Sequence, residues 1–284
     1  MTAGWVLAAA LAVVAVGSPP GKAAEGPWAG TTLEIFAGSA SKPATAEVAR
    51  RFEERTGARV WTHFGGSGAV LAQLALGGRG DVYFPGSSDF MERAKRRGLV
   101  DPRTEVRVAY LVPVIGVPRG NPKGIRGLAD LARPGLRVGI ARPDGVCVGL
   151  YGVEILEAAG LGEAVRRNVV NQAESCGKTA QMLALGLVDA VLGWDVFAQW
   201  DPQRVESVYL PPEQVRRIGY LPAAVATASR HPEAAEAFLA FLAGPEGREV
   251  FRSMGYLTDL DEARRLAGRD TPVGGEYRLP PAWR

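Results

Sequence analysis

The stretch Phe64-Gly65-Gly66-Ser67-Gly68 follows an apolar segment ending in Val60-Trp61-Thr62 and opens a helical pattern through Val70, Leu71 and Leu74. A strand-to-helix junction of this composition is suited to an anion. Its glycines leave backbone N–H groups uncovered, Ser67 adds a hydroxyl donor, and the helix directs the positive end of its dipole at the same place. An earlier junction repeats the design: strand-like Leu33-Glu34-Ile35-Phe36 runs into Ala37-Gly38-Ser39-Ala40-Ser41, and Pro43 suits a first helical turn. Two such junctions predict one site with two walls.

Outward from these junctions the pattern alternates between strands and helices. Ala44, Val48 and Phe52 fall on one face of a helix ending at Gly57. Asp81-Val82-Tyr83-Phe84 reads as a short buried strand, and Asp89 to Arg97 as an amphipathic helix. The longest strand-like run, Val106 to Val117, ends at Pro118-Arg119-Gly120-Asn121-Pro122, the candidate hinge. A fresh alternation follows, with a helix near Leu128–Leu131, a strand Val138–Ala141, a helix Val148–Ala159, a strand near Val169, a helix Thr179–Leu185 and a strand Val188–Leu192. Strands Ser207–Leu210 and Ile218–Thr227 and two helices complete it, and residues from Thr258 onward read as an extended surface tail. This alternation predicts an α/β protein with mostly parallel sheets covered by helices on both faces.

The 284 residues suffice for one large domain or two lobes. A formal charge of +3, evenly spread, argues against a nucleic-acid partner. Trp5 to Val16 is an apolar run followed by Gly17-Ser18-Pro19-Pro20 and small residues around Ala23-Ala24. It is too short to span a bilayer and reads as a signal peptide over residues 1–24, hence an exported, periplasmic or extracytoplasmic protein. The two histidines, His63 and His231, lie far apart without metal-ligand spacing, which disfavours a conventional zinc site.

The order of motifs carries a family resemblance. Phe36-Ala37-Gly38-Ser39, Phe64-Gly65-Gly66-Ser67-Gly68, Gly80-Asp81-Val82-Tyr83-Phe84, Val146-Cys147-Val148-Gly149-Leu150-Tyr151, Asp189-Ala190-Val191 and His231-Pro232-Glu233-Ala234-Ala235 through Gly244-Pro245-Glu246-Gly247 span about Leu33 to Leu257. In this order the chain resembles the molybdate/tungstate-binding proteins of ABC importers, with their two-lobed type II periplasmic-binding fold. The resemblance implies mixed, mostly parallel sheets in two lobes, one from residues 31–113 plus 213–284 and the other from 114–212, closing on a ligand in the cleft between them. It implies a monomer that needs no cofactor, performs no catalysis and delivers a small inorganic oxyanion to a membrane ABC permease. The metal would enter only inside the oxyanion. Carried over by position, the ligand contacts are Ser39, Ser67 and Gly66 from lobe one and Cys147, Val148 and Cys176 from lobe two, while a phenolic donor of the family falls at Trp194. Ser41, Ser87 and Asp195 are further candidates.

This chain departs from the family pattern in lobe two, where Cys147-Val148 replace proline and alanine, and Trp194 followed by Asp195 replaces the phenol. Its only two cysteines therefore map to two cleft-facing loops. In an exported protein an even number of cysteines reads first as a disulfide, here closing a loop of about 29 residues worth roughly 3 kcal/mol in the chain-entropy model. The other reading is two free thiols that take a soft metal or a thiophilic metalloid such as arsenite, with Asp195 and Asp144 as oxygen ligands. The competing functions are thus a receptor for another oxyanion, a thiophilic-metalloid receptor, and a cysteine-nucleophile enzyme like the thiaminases that share this fold. The enzyme reading needs a base near an activated thiolate, for which the sequence offers Asp144, Glu174 or Asp195.

Overall fold

A computed structural model describes residues 26–284; the signal segment 1–24 expected from the sequence lies outside the described residues. In chain order the elements are β1 (Thr32–Gly38), α1 (Lys42–Thr56), β2 (Arg59–Gly65), α2 (Ser67–Gly77), β3 (Val82–Phe84), α3 (Ser88–Arg96), β4 (Val106–Leu111) and β5 (Pro113–Pro118). They continue through β6 (Val138–Ala141), α4 (Cys147–Ala158), α5 (Gly162–Arg166), β7 (Val169–Ala173), α6 (Cys176–Ala184), β8 (Ala190–Trp194), α7 (Phe197–Trp200) and β9 (Val205–Tyr209). The chain closes with β10 (Gly219–Val225), α8 (Pro232–Ala243), α9 (Pro245–Ser253) and α10 (Leu260–Ala267).

The strands form two five-stranded sheets with the orders β2-β1-β3-β10-β4 and β7-β6-β8-β5-β9. In the first, β1 pairs in parallel with β2 and β3, whereas β10 runs antiparallel to β3 and β4. The second sheet repeats the scheme, with β6 parallel to β7 and β8, and β5 antiparallel to β8 and β9. Each sheet is therefore mixed, and the antiparallel strand within it is the one that has crossed from the other lobe. Helices cover both faces, and burial follows the expected pattern. Leu33, Ile35 and Ala37 on β1 are inaccessible to solvent, as are Ala44 and Val48 on α1. Helix α1 stops where Gly57 turns left-handed, at φ 74°, and donates its N–H to the Glu53 carbonyl.

Two readings of the sequence are corrected. The run Val106–Val117 is not one strand. It breaks at Val112, so that β4 pairs with β10 in the first sheet and β5 pairs with β8 and β9 in the second. The chain passes between lobes at that single buried residue. The Pro118–Pro122 cluster is instead a surface turn at the far end of β5, where Asn121 hydrogen-bonds the N–H and carbonyl of Ile125 through its side chain. Periodicity hid the break because Val108, Ala109, Leu111, Val112, Val114 and Ile115 are all buried. The second correction concerns the C-terminus. Leu260–Ala267 is an amphipathic helix, and Ala263, Ala267, Leu279 and Trp283 pack into the core with Val138, Ile140 and Leu150.

A separate core cluster joins residues of the two sheets without interruption: Leu33, Ile35 and Ala37 belong to the same buried group as Cys147, Val148, Tyr151, Cys176 and Trp194. The lobes are closed on each other.

Candidate functional site

Three helices begin at the plane where the lobes meet. Ser67 is the first residue of α2, Cys147 of α4 and Cys176 of α6, each preceded by extended backbone at Gly66, Val146 and Ser175. The first N–H groups of a helix have no intrahelical partners, so all three dipoles present their positive ends here. Ser39, after β1, adds a fourth element through the short turn that leads into α1. Ser39, Ser67, Cys147, Cys176 and Trp194 are all buried. The site is shut.

Close approach of backbone to backbone explains the glycines. The Gly68 N–H donates to the Gly145 carbonyl across the cleft at 2.8 Å, and the Gly177 N–H donates to Ser39 Oγ at 3.2 Å. A methyl group on Gly66 would lie 2.5 Å from the Glu174 carbonyl oxygen, and one on Gly86 would lie 2.5 Å from Cys147 Sγ. Neither glycine is there for a left-handed backbone. Both are there because the opposing lobe occupies the space a Cβ would need.

The predicted residues fall into two groups. Ser39, Ser67, Gly66, Cys147, Cys176 and Trp194 come together, with the Val148 amide behind Cys147. Ser67 Oγ accepts the Gly86 N–H at 3.0 Å and keeps its own proton to donate. Of the remaining candidates, Ser41 and Asp195 are engaged elsewhere, and Ser87 has no partner. Ser41 donates to the Gly38 carbonyl inside its own turn, and Ser87 sits buried at the start of α3 with its hydroxyl unpaired. Asp195 exchanges hydrogen bonds with Val112 at the crossover: its carboxylate accepts the Val112 N–H at 3.0 Å and its own N–H donates to the Val112 carbonyl at 2.9 Å. Burial pushes its carboxyl up to about 7, opposed by the backbone N–H groups it accepts. Asp144 pairs with Arg142. Among the described residues no cluster of three or more His, Cys, Asp or Glu side chains is placed to hold a metal ion, so neither aspartate joins the thiols as an oxygen ligand. His63 lies outside this group, bonded to Glu34 and stacked on Phe36.

The two cysteines are free thiols with their sulfurs 3.4 Å apart, well beyond the ~2.05 Å of a disulfide bond. The disulfide reading is therefore corrected for this structure. Burial pushes both thiols up. At Cys147 it is outweighed by donors facing the sulfur, namely Cys176, the Trp194 indole, the Val148 amide and the Ser67 hydroxyl, so this thiol ends below its ordinary range. Cys176, buried and hydrogen-bonded to Cys147, is driven well above it.

Sequence reasoning missed Gly86, Gly145 and Gly177. Gly86 was legible in principle, because Pro85-Gly86-Ser87-Ser88 after β3 is a third strand-to-helix junction of the same design. Gly145 and Gly177 act through backbone atoms alone, for which side-chain identity gives no signal.

Comparison with known proteins agrees with this architecture. Residues 33–257 match the model of a family described as bacterial extracellular solute-binding protein. The molybdate-binding protein ModA of Mycobacterium bovis is 28% identical over 247 residues, covering 86% of this chain and 92% of that protein. The periplasmic molybdate-binding protein of Azotobacter vinelandii superposes with a TM-score of 0.69 at 21% identity, over 79% of this chain and 98% of that one. The sulfate-binding protein SubI of Mycobacterium tuberculosis does so with a TM-score of 0.71 at 22% identity, over 87% and 93%. These two likenesses establish the two-lobed fold. With a family match over most of its length, this chain belongs to the bacterial extracellular solute-binding proteins.

Proposed function

We propose that this protein is the extracytoplasmic receptor of an ABC importer and that its cleft takes a small tetrahedral oxyanion of the molybdate, tungstate or sulfate kind. The observation that carries the reading is the convergence of the N-termini of α2, α4 and α6 with the hydroxyls of Ser39 and Ser67 at a buried surface between two lobes. Neutral donors aimed at one point suit a dianion that brings its own charge, and hydrogen bonds to a charged acceptor are about twice as strong as neutral ones. Ser39, Gly66 and Ser67 form the lobe-one half; Cys147, Val148, Cys176 and Trp194 form the other. Because donors come from both lobes, the ligand binds the closed form better than the open one and shifts the population toward closure, the signal a permease reads. The two homologues named for molybdate and the one named for sulfate support the ligand class. In this reading the protein acts as an exported monomer and needs neither catalysis nor a cofactor.

The test is calorimetric titration of the reduced protein with molybdate, tungstate, sulfate and phosphate. One of the first three binds at one per chain, and Ser67→Ala, which loses a charge-assisted hydrogen bond worth about 1.5–3 kcal/mol, weakens it by about 10- to 100-fold. Absence of heat with all of them would sink the reading.

A further inference from the structure

We propose that Cys147 and Cys176 form a dithiol site that captures a trivalent arsenic oxyacid of the arsenite class. The inference rests on the reading of this cleft as the ligand site of a solute receptor and names a ligand chemistry that the serine wall alone does not provide.

Both sulfurs are buried at the meeting plane of the lobes, at the first positions of α4 and α6. Around them the groups that face Cys147 Sγ are donors: the Ser67 hydroxyl, the Val148 amide and the Trp194 indole. Trp194 Nε1 is fully buried and lies within hydrogen-bond distance of no oxygen or nitrogen partner.

The sulfur spacing selects among thiophilic ligands. With bonds to sulfur of about 2.3 Å, a linear two-coordinate soft cation needs its sulfurs about 4.6 Å apart, whereas a separation of 3.4 Å corresponds to an angle of about 95° at the bound atom. An angle near 90° fits a pyramidal trivalent centre with a stereochemically active lone pair. Tetrahedral zinc would need two further protein ligands, and no cluster of three or more His, Cys, Asp or Glu side chains among the described residues supplies them. A pyramidal centre with two sulfurs keeps one hydroxyl, for which Ser67 and Trp194, the donors beside Cys147, would be the partners.

The capture step balances without an oxidant or reductant. Arsenous acid and two thiols give a dithioarsenite with one retained hydroxyl and two water molecules. Two As–O bonds break and two As–S bonds form; each departing hydroxide leaves as water with one thiol proton, and arsenic stays trivalent. The two S–H groups, 3.4 Å apart, supply the two protons that the departing hydroxides need.

The experiment titrates phosphine-reduced full-length mature protein with sodium arsenite, and separately with arsenate and molybdate, using calorimetry and native mass spectrometry. One arsenite is expected per chain, with a mass gain of arsenous acid less two waters. Cys147→Ser and Cys176→Ser each weaken arsenite binding by about 100-fold, since one of two linked bonds is lost. Both variants keep a cooperative melt. A mass gain of intact arsenous acid, or arsenite affinity unaltered in both variants, overturns the dithiol assignment. If the variants do not fold, the mass of the wild-type adduct decides alone. Molybdate bound with arsenite ignored overturns this inference and leaves the oxyanion receptor standing. Arsenite bound with all tetrahedral anions ignored does the reverse, and failure of every anion overturns both.

Discussion

The lobes of this protein meet through polar groups at two places of opposite chemistry. In the cleft, serine hydroxyls, backbone amides and a thiol pair face one another with the positive ends of three helices behind them. Behind the cleft, where the chain returns from β9 to β10, Arg217 is buried with full charges around it. Its guanidinium donates to both Asp89 oxygens at 3.1 and 3.0 Å and to Glu154 at 2.5 Å, and it lies over the Tyr151 ring at 4.0 Å. Asp89 belongs to α3 and Glu154 to α4, so one arginine ties a helix of the first sheet to a helix of the second. The same guanidinium donates to the Gly275 carbonyl, and the Tyr277 N–H donates to Asp89, which draws the C-terminal segment into the knot. Fixed charge sits where it can be permanently paired. The cleft is left to dipoles, and under the proposed function an arriving anion finds donors without a resident counter-ion to displace.

That contrast breaks most visibly at Arg217. Arg217→Met strands the buried Asp89 carboxylate and the half-buried Glu154 and should cost about 3–5 kcal/mol in denaturant unfolding at neutral pH. A loss below about 1 kcal/mol would mean that the cluster is not the tie it resembles. The other crossover comes next. The Asp195 carboxyl is held up to about 7, above its unfolded value, so it keeps a proton in the folded chain between about pH 4 and pH 7 that the unfolded chain has released. Its contribution therefore favours folding at low pH and is lost as pH rises through this window, by about 2–4 kcal/mol. Melting temperatures of wild type and Asp195→Asn, compared at pH 5 and pH 8, should show the variant gaining on wild type at the higher pH; parallel profiles would refute it.

The cleft predicts smaller effects, read in binding rather than folding. Gly66→Ala places a methyl group against the Glu174 carbonyl and holds the lobes apart. Oxyanion affinity should fall about 10- to 100-fold, or 1.4–2.7 kcal/mol, with little change in melting of the unliganded protein, and small-angle scattering should show a more open particle in saturating ligand. Unchanged affinity would show that closure tolerates the side chain. Ser39→Ala removes the acceptor of the Gly177 N–H and one ligand donor, and calorimetry should register a loss of about 0.5–1.5 kcal/mol. An effect as large as that of Arg217→Met would erase the distinction between the two regions.

How far the site could be read from the sequence depended on what held each residue in place. The junctions that carry Ser39, Gly66 and Ser67 were legible because a strand, a Gly/Ser turn and a helix are local patterns. The break at Val112 left one unused signal: Pro113 cannot donate to a ladder and sits poorly in the middle of a strand. Asp195 beside Trp194 carried no such cue. Nothing local distinguishes a carboxylate that faces a cleft from one that receives the amide of a residue 83 positions away. Arg217 was equally silent, because a buried arginine and an exposed one have the same neighbours in sequence. The C-terminal helix was overlooked since Arg, Gly and Pro dominated a segment whose few apolar residues are spent on a core formed elsewhere.

By itself the sequence determined the alternation of strands and helices, the small-residue junctions that open α1 and α2, and the presence of two cysteines in one half of a two-lobed chain. These depend on periodicity, capping and steric freedom, all set by residues a few positions apart. Only the tertiary structure decided that the lobes close until Gly177 reaches Ser39, 138 residues away, that the sulfurs stop 3.4 Å apart as thiols, and that the buried charges gather at the crossovers. Those distances are fixed by packing two independently formed cores against each other, and burial then sets which groups keep their protons.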